Sequence, residues 1–147
     1  LANLESDADN INYRVYATHA IHHVVSGFSL DNFGELGVIS ISVAQFSHPG
    51  LAFTDLMALL LSWFRNDTPI DELQTVTEQA RTASYGFGRI SHGLEMGLAA
   101  KPLLTVIWEE RMGQALEELR SQLGIEPERE GAWSWYSDLT LTAALKA

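Results

Sequence analysis

Apolar residues recur along most of the chain at steps of three and four, the spacing that keeps side chains on one face of a helix. The clearest stripe is Ile70, Leu73, Val76, Ala80, Ala83, Phe87, Ile90 and Leu94, and it predicts one long helix. Thr68 stands where a cap is needed, Pro69 fits the first turn, and Asp71 and Glu72 lie near the positive end of the dipole. Gly86 and Gly88 are places where this helix can bend, and Lys101-Pro102 stops it. A first helix is predicted from a cap at Asn12 to about Ser26, after an irregular lead-in over Leu1 to Ile11. Its broad apolar face carries Tyr13, Ala17, Ala20, Ile21, Val24 and Val25, and Gly27 ends it. Asp31 caps a second helix reaching about Ser47, in which Gly34 and Gly37 allow another helix to approach closely. After a break at Pro49-Gly50, a third helix starts at Thr54 or Asp55 and runs through Phe64. It is apolar on nearly every side, which predicts a central place in the core. A last helix spans about Thr105 to Leu123, with Gly124 as its stop and Pro127 just beyond. Trp133, Trp135 and Tyr136 predict that the tail, residues 128–147, docks on the body or makes an oligomer contact. The fold class expected is all-α, a single multi-helix domain over residues 1–147.

Composition narrows the function. The chain has 147 residues, 46 % hydrophobic and 19 % charged, which suits one globular domain with a real core. Its net charge of −10 repels phosphate backbones and excludes nucleic acid as a natural partner. No polybasic patch is present, so contact with a membrane would be hydrophobic and peripheral. The longest uncharged run, Leu36 to Thr54, contains Gln45, His48 and Pro49-Gly50 and is rejected as a membrane span. Cysteine is absent, which rules out a thiolate metal site and suits a reducing compartment. Leu1 to Asn10 holds three acids and no base, unlike a secretory leader. The expectation is a cytoplasmic protein, open to peripheral membrane contact and trimmed ahead of Leu1.

The sharpest chemistry lies in Thr18-His19-Ala20-Ile21-His22-His23. His19 and His23 are four residues apart and project from one helix face a turn apart, so two imidazoles can share one cation. Glu35 opens the next helix after a short turn and could complete a facial set with open positions for water or substrate. The plainer alternative is an ordinary pair of helical histidines, with Glu35 a first-turn acid favoured by the dipole. A zinc protease is excluded, because its helical motif needs Glu directly after the first His and this chain has Ala20.

His19-x-x-x-His23, eleven further residues and then Glu35 resemble the His-Asp-x-x-His-x11-Glu signature of the coenzyme Q (ubiquinone) biosynthesis protein 4 family. Gly88-Arg89, Trp108-Glu109-Glu110, Leu116-Glu117-Glu118-Leu119-Arg120 and Leu123-Gly124-Ile125 with Pro127 are similar to later landmarks of that family. The resemblance implies an all-α fold and a role in quinone biosynthesis, acting at C1 of a polyprenylated ring in decarboxylation with hydroxylation. It also implies a part in organising the biosynthetic complex with other quinone-biosynthesis proteins. His19, His23 and Glu35 match the residues that hold the family's divalent metal, here expected to be zinc or magnesium. The family's Asp is replaced by Ala20, which removes one carboxylate; His22, an extra imidazole three residues from His19, is the candidate to compensate in part.

A polyprenyl tail needs an apolar groove with a few polar groups at its mouth. Phe46, Phe53, Met57 and Leu60 are the expected lining, with Leu51, Leu56, Leu61, Trp63, Phe64, Met96 and Leu98 adding apolar area, although core packing accounts equally for each. Arg89 and His92 lie one turn apart and could meet an anionic head group, or Arg89 could pair with an acid of the chain. Glu109 and Glu110 point about 100° apart and read as a solvated face rather than an acid/base pair. Three functions remain open: a metal-dependent quinone-biosynthesis enzyme, a non-catalytic prenyl-lipid-binding or scaffold protein, and a purely structural helical domain. A homodimer is expected from the aromatic tail and the Gly-spaced helices.

Overall fold

The computed structural model describes residues 6–64, 76–129, 134 and 136. It is all-helical, with five α-helices around one core and no strand among the described residues. Helix α1 (Asp7–Ser26) begins well before Asn12, because the Ser6 side chain accepts from the Asp9 amide and two acids occupy the first turn. The expected lead-in is therefore partly helix. The face α1 buries also differs from the apolar face predicted. Tyr13, Ala17 and Ala20 are exposed, while Thr18, His22, His23, Val25 and Ser26 are buried. Thr18, His23 and Ser26 are tolerated there because each finds a hydrogen-bond partner, whereas the His22 Nδ1 is buried without one.

Helix α2 (Asn32–Phe46) starts as the sequence predicts, with the Asp31 carboxylate accepting from the amides of Phe33 and Gly34. Helix α3 (Pro49–Phe64) begins earlier than Thr54: Pro49 opens it, and the His48 ring accepts from the Gly50 amide. The break falls instead at Ser47, in the left-handed conformation at φ 49. Helix α3 is not the central helix. Phe53, Leu56, Leu60 and Leu61 are exposed on its outer side, and α2 takes the centre. The small side chains of α2 permit this, because a helix of Gly and Ser can be approached closely from several sides.

Helix α4 (Val76–Ala99) runs through Gly86 and Gly88 and lies against α2. A methyl on Gly93 would stand 2.2 Å from the Gly37 carbonyl oxygen, and one on Gly97 would stand 2.7 Å from that of Ile41. The two backbones therefore approach closely at these glycines. The predicted start at Thr68-Pro69 lies outside the described residues.

The expected helix over Thr105 to Leu123 is instead two 3₁₀ turns, Leu103–Thr105 and Trp108–Glu110, followed by the short helix α5 (Leu116–Leu123). Val106 is extended between them, and the β-branched run Thr105-Val106-Ile107 disfavours continuous helix. Arg14 holds this segment, donating to the carbonyls of Leu104 and Val106. Arg120, buried in α5, donates from Nε to the Val25 carbonyl at 2.8 Å and from Nη2 to that of Val24 at 2.7 Å. A cation thus meets the negative end of α1. Gly124 ends α5 in the left-handed conformation at φ 72. Of the tail, Ser134 is fully buried and bridges to Phe28, and the Tyr136 hydroxyl accepts from Arg120. Trp133 and Trp135 lie outside the described residues.

No described helix is long and apolar enough to cross a membrane.

Candidate metal centre

The turn between α1 and α2 folds Glu35 back over the α1 histidines. Gly27 makes the turn at φ 80, and Gly34 lies so close to Ser29 that an added Cβ would stand 1.8 Å from the Ser29 carbonyl oxygen. His19, His23 and Glu35 each bring one donor atom to a common point, all within 4.8 Å of one another. His19 Nε2 lies 2.9 Å from one Glu35 oxygen, and His23 Nε2 lies 3.2 Å from the other. The two Nε2 atoms are 3.2 Å apart.

These separations bear on whether a cation fits. Ligands about 2.1 Å from one ion stand about 3.0 Å apart at a right angle and about 3.4 Å apart at a tetrahedral angle. The observed spacings of 2.9 and 3.2 Å fall around this range, and the two-imidazole, one-carboxylate set suits a borderline divalent ion. His23 is held for this task. Its Nδ1–H donates to the Phe28 carbonyl at 3.2 Å, which leaves the Nε2 lone pair facing the cluster. Burial lowers the His23 pKa; Glu35 opposes that shift and His19 adds to it. The balance favours the neutral imidazole, the form that ligates. The His23 side chain is 1 % exposed, whereas His19 and Glu35 are 33 % and 38 % exposed. The cluster is thus anchored on its inner side and open on its outer side, as a site that admits water or substrate must be.

His22 does not join the cluster. It turns away from it, 2 % exposed, with its ring centroid 5.9 Å from that of Trp108 and its Nε2 3.5 Å from the Thr18 hydroxyl. Desolvation, and then the neighbouring His19 and His23, lower its pKa to about 4. The extra imidazole therefore cannot replace the acid missing at Ala20, which is an exposed position. Side chains three residues apart are not always on the same working face, and His22 has been taken by the core.

The expected head-group residues have a partner within the chain. Arg89 Nη1 donates to Glu128, and His92 Nδ1 is 3.0 Å from the same Glu128 oxygen. Arg89 pairs with an acid, the plainer of its two readings. Glu128 carries no periodic signal in the sequence, so only the docking of residues after α5 reveals it. Of the expected tail-lining residues, Phe53 and Leu60 are exposed on α3 at 62 % and 50 %, and Phe46 and Met57 are half-buried. Two open pockets of about 460 and 510 Å³ lie on other faces, lined around Lys101 and Leu123 and around Tyr13 and Trp108. Glu109 and Glu110 are exposed, as a solvated face should be. Asp55, for which the sequence pattern offers only a possible helix start, is 4 % exposed, and its Oδ2 accepts from the Ser40 hydroxyl at 2.7 Å.

The model of a family described as coenzyme Q (ubiquinone) biosynthesis protein Coq4 matches residues 6–129. The mitochondrial ubiquinone biosynthesis protein COQ4 of Candida tropicalis is 28 % identical over 123 residues, covering 82 % of this chain and 34 % of the relative. The protein of the same name from Zygosaccharomyces rouxii is 27 % identical over 109 residues, covering 74 % and 28 %. That from Clavispora lusitaniae is 30 % identical over 108 residues, covering 74 % and 29 %. The chain spans about a third of the length of these relatives or less. All three are named as mitochondrial, which overturns the expectation of a cytoplasmic protein. Lack of cysteine and of basic clusters is compatible with more than one compartment, so composition had no power to choose among them.

Proposed function

The chain belongs to the coenzyme Q (ubiquinone) biosynthesis protein Coq4 family, and from that premise we propose that it acts in quinone biosynthesis by holding one divalent cation, zinc in preference to the harder magnesium, with His19, His23 and Glu35. The observation that carries this reading is the convergence of two imidazole nitrogens and the Glu35 carboxylate, with His23 fixed from behind by the Phe28 carbonyl. When bound, such a cation supplies Lewis-acid polarisation of a ring carboxylate or hydroxyl. The residues of the chain do the rest. His23 holds a defined tautomer, His19 and Glu35 present the open side, and burial of His23 keeps water from the inner side. The substrate is a polyprenylated ring precursor, acted on at C1 in decarboxylation with hydroxylation. Its tail lies along the outer face of α3, where Phe53 and Leu60 are exposed and Met57 is half-buried, with Phe46, half-buried at the end of α2, a further apolar candidate. The same face allows peripheral contact with a membrane and with other proteins of the pathway or a second copy of the chain. We take residues 1–147 as one helical domain of this longer family.

A second reading has its own observation. Ala20 leaves the cluster one carboxylate short, and His22 does not fill the gap. This favours a chain that binds metal and prenyl lipid without turnover, as a scaffold for neighbouring enzymes.

The test of the centre is metal content and affinity, by elemental analysis and zinc and magnesium titration of the full chain. One ion per chain is expected. Glu35→Gln should weaken binding by about 10- to 100-fold or more with an unchanged helical spectrum. Equal stoichiometry and affinity in Glu35→Gln would remove the site. Mass spectrometry of an organic extract tests the tail: a stoichiometric prenyl species is expected, and its absence, where a control lipid-binding protein retains its lipid, counts against the α3 face.

A further inference from the structure

Resting on the metal reading above, we propose that Arg120 is a positioning residue of the centre: it locks the last turn of α1 and so holds His23 with its Nε2 facing Glu35. A helix leaves its last four carbonyls without partners inside the helix. At the end of α1 these belong to His23, Val24, Val25 and Ser26. The His23 carbonyl accepts from the Gly27 amide at 2.9 Å, and the Ser26 carbonyl from the Glu128 amide at 2.7 Å. The two between them are taken by one side chain. Arg120 Nη2 donates to the Val24 carbonyl at 2.7 Å, and Nε to the Val25 carbonyl at 2.8 Å. Val25 and Arg120 are 1 % and 2 % exposed, so water is a poor substitute for this grip.

The grip falls beside the ligand. His23 lies in this same turn, and its ring reaches forward across it to donate from Nδ1–H to the Phe28 carbonyl at 3.2 Å. The Ser26 hydroxyl donates back to the His23 carbonyl and accepts from the Phe28 amide, both at 3.4 Å. These bonds are long and individually weak. They close only while Val24 and Val25 stay helical and Gly27 turns in the left-handed conformation at φ 80. If the last turn frays, the Phe28 carbonyl moves away from His23, and the ring loses both its fixed tautomer and its aim. The turn leads directly into α2, so the same grip also sets where Glu35 stands, with its Oε1 3.2 Å from His23 Nε2.

Arg120 is itself held in place. Its Nη1 donates to the Glu117 carboxylate at 2.6 Å and to the Tyr136 hydroxyl, and the guanidinium lies 5.5 Å from the Tyr136 ring centroid. A planar guanidinium offers two donors in a fixed fork, which suits two successive carbonyls, whereas a lysine ammonium is a single point that serves one of them. The fold contains a natural comparison. Arg14, also on α1, donates to the carbonyls of Leu104 and Val106 and so serves the 3₁₀ segment rather than the turn. Both arginines tie α1 to the body through a pair of carbonyls, but Arg120 alone of the two does so beside a metal ligand.

The test uses the full chain and two readouts. Long-range proton–nitrogen NMR of the metal-free chain reads the His23 tautomer, and competition with a chromogenic chelator reads zinc affinity. The parent chain should carry the His23 proton on Nδ1. Arg120→Lys should give a mixture of tautomers and weaken zinc binding by about 10- to 100-fold, the loss usual when a group that orients a ligand is removed. Arg14→Lys removes an equivalent pair of carbonyl contacts, and should lower the melting temperature without moving either readout. Tyr136→Phe keeps the ring beside Arg120 and removes the hydroxyl acceptor. It should move both readouts in the same direction by less, and it decides the matter if Arg120→Lys does not fold. A tautomer and a zinc affinity that stay at the parent values in Arg120→Lys, or in Tyr136→Phe where Arg120→Lys does not fold, would overturn the proposal. An equal loss in Arg14→Lys would also overturn it, because a purely structural arginine would behave that way. A parent chain that binds no zinc, with the tautomer shift present in Arg120→Lys, removes the metal reading and leaves Arg120 as the holder of His23. Normal zinc binding with an unmoved tautomer and affinity removes the positioning role alone.

Discussion

Replacing Gly93 and Gly88 by Ala, one at a time, tests how α4 is held against α2. The two glycines lie in the same helix and have opposite surroundings. A methyl at Gly93 would meet the Gly37 carbonyl oxygen at 2.2 Å and the Ser40 Cβ at 2.8 Å, whereas a methyl at Gly88 would meet nothing within 4 Å. Carbon atoms pack comfortably at about 3.5 Å or more, so α2 and α4 must part by about 1 Å to admit the Gly93 methyl. The obstacle is helix backbone and a Cβ, which cannot swing aside as a side-chain tip can. Overpacking of this kind costs about 1–3 kcal/mol, and the severity of the contact places Gly93→Ala at about 3 kcal/mol. At Gly88 only the helix propensity changes, which favours Ala by about 1 kcal/mol. For a chain of this size 1 kcal/mol moves the melting temperature by about 2–4 °C. Thermal melts followed at 222 nm should show Gly93→Ala lowered by about 6–12 °C and Gly88→Ala raised by about 2–4 °C. Equal stability of the two variants, or a Gly93→Ala as stable as the parent, would refute the close approach of α2 and α4. Because α2 carries Glu35 and α4 carries Arg89 and His92, Gly93→Ala should also perturb the NMR signals of His19 and His92, while Gly88→Ala leaves them in place.

Restoring the family's acid by Ala20→Asp should raise zinc affinity by tenfold or more in a competition titration with a chromogenic chelator; unchanged affinity would show that this position does not feed the cluster. Asp55 supplies a pH dependence. Burial, only partly offset by the Ser40 hydrogen bond, pushes its carboxyl up to about 6. A raised carboxyl pKa means that the folded state holds its proton more tightly than the unfolded chain, so the stability it contributes is full below about pH 4 and is lost as pH rises through about 6. Asp55→Asn should remove that loss, gaining on the parent chain by on the order of 2–3 kcal/mol between pH 4 and pH 8 in urea unfolding. A gap that stays constant with pH would mean that Asp55 ionises as freely in the fold as out of it.

The helices that pattern identified best are those whose local chemistry is self-sufficient. Asp31 caps α2 with its own carboxylate, and Gly27 and Gly124 stop α1 and α5 in left-handed geometry, because these effects need only neighbouring residues. Periodicity misled where packing overrides it. The apolar α3 looked central yet keeps Phe53 and Leu60 exposed, and the run after Leu103 looked helical yet is two 3₁₀ turns pinned by Arg14. The His19, His23 and Glu35 set was legible because four-residue spacing on one helix and a short turn to the next nearly determine proximity.

The amino-acid sequence by itself thus determined the helical class, the caps at Gly27, Asp31 and Gly124 and the proximity of His19, His23 and Glu35, all of which depend on residues close along the chain. Tertiary structure alone decided that His22 faces Trp108 instead of the cluster, and that Asp55 is buried against Ser40. It alone brought Glu128 to Arg89 and His92, residues 36 and more positions away. The physical reason is common to these cases. A side chain's charge state and partner depend on which surfaces exclude water around it, and those surfaces are assembled from segments whose sequence separation carries no record of their meeting.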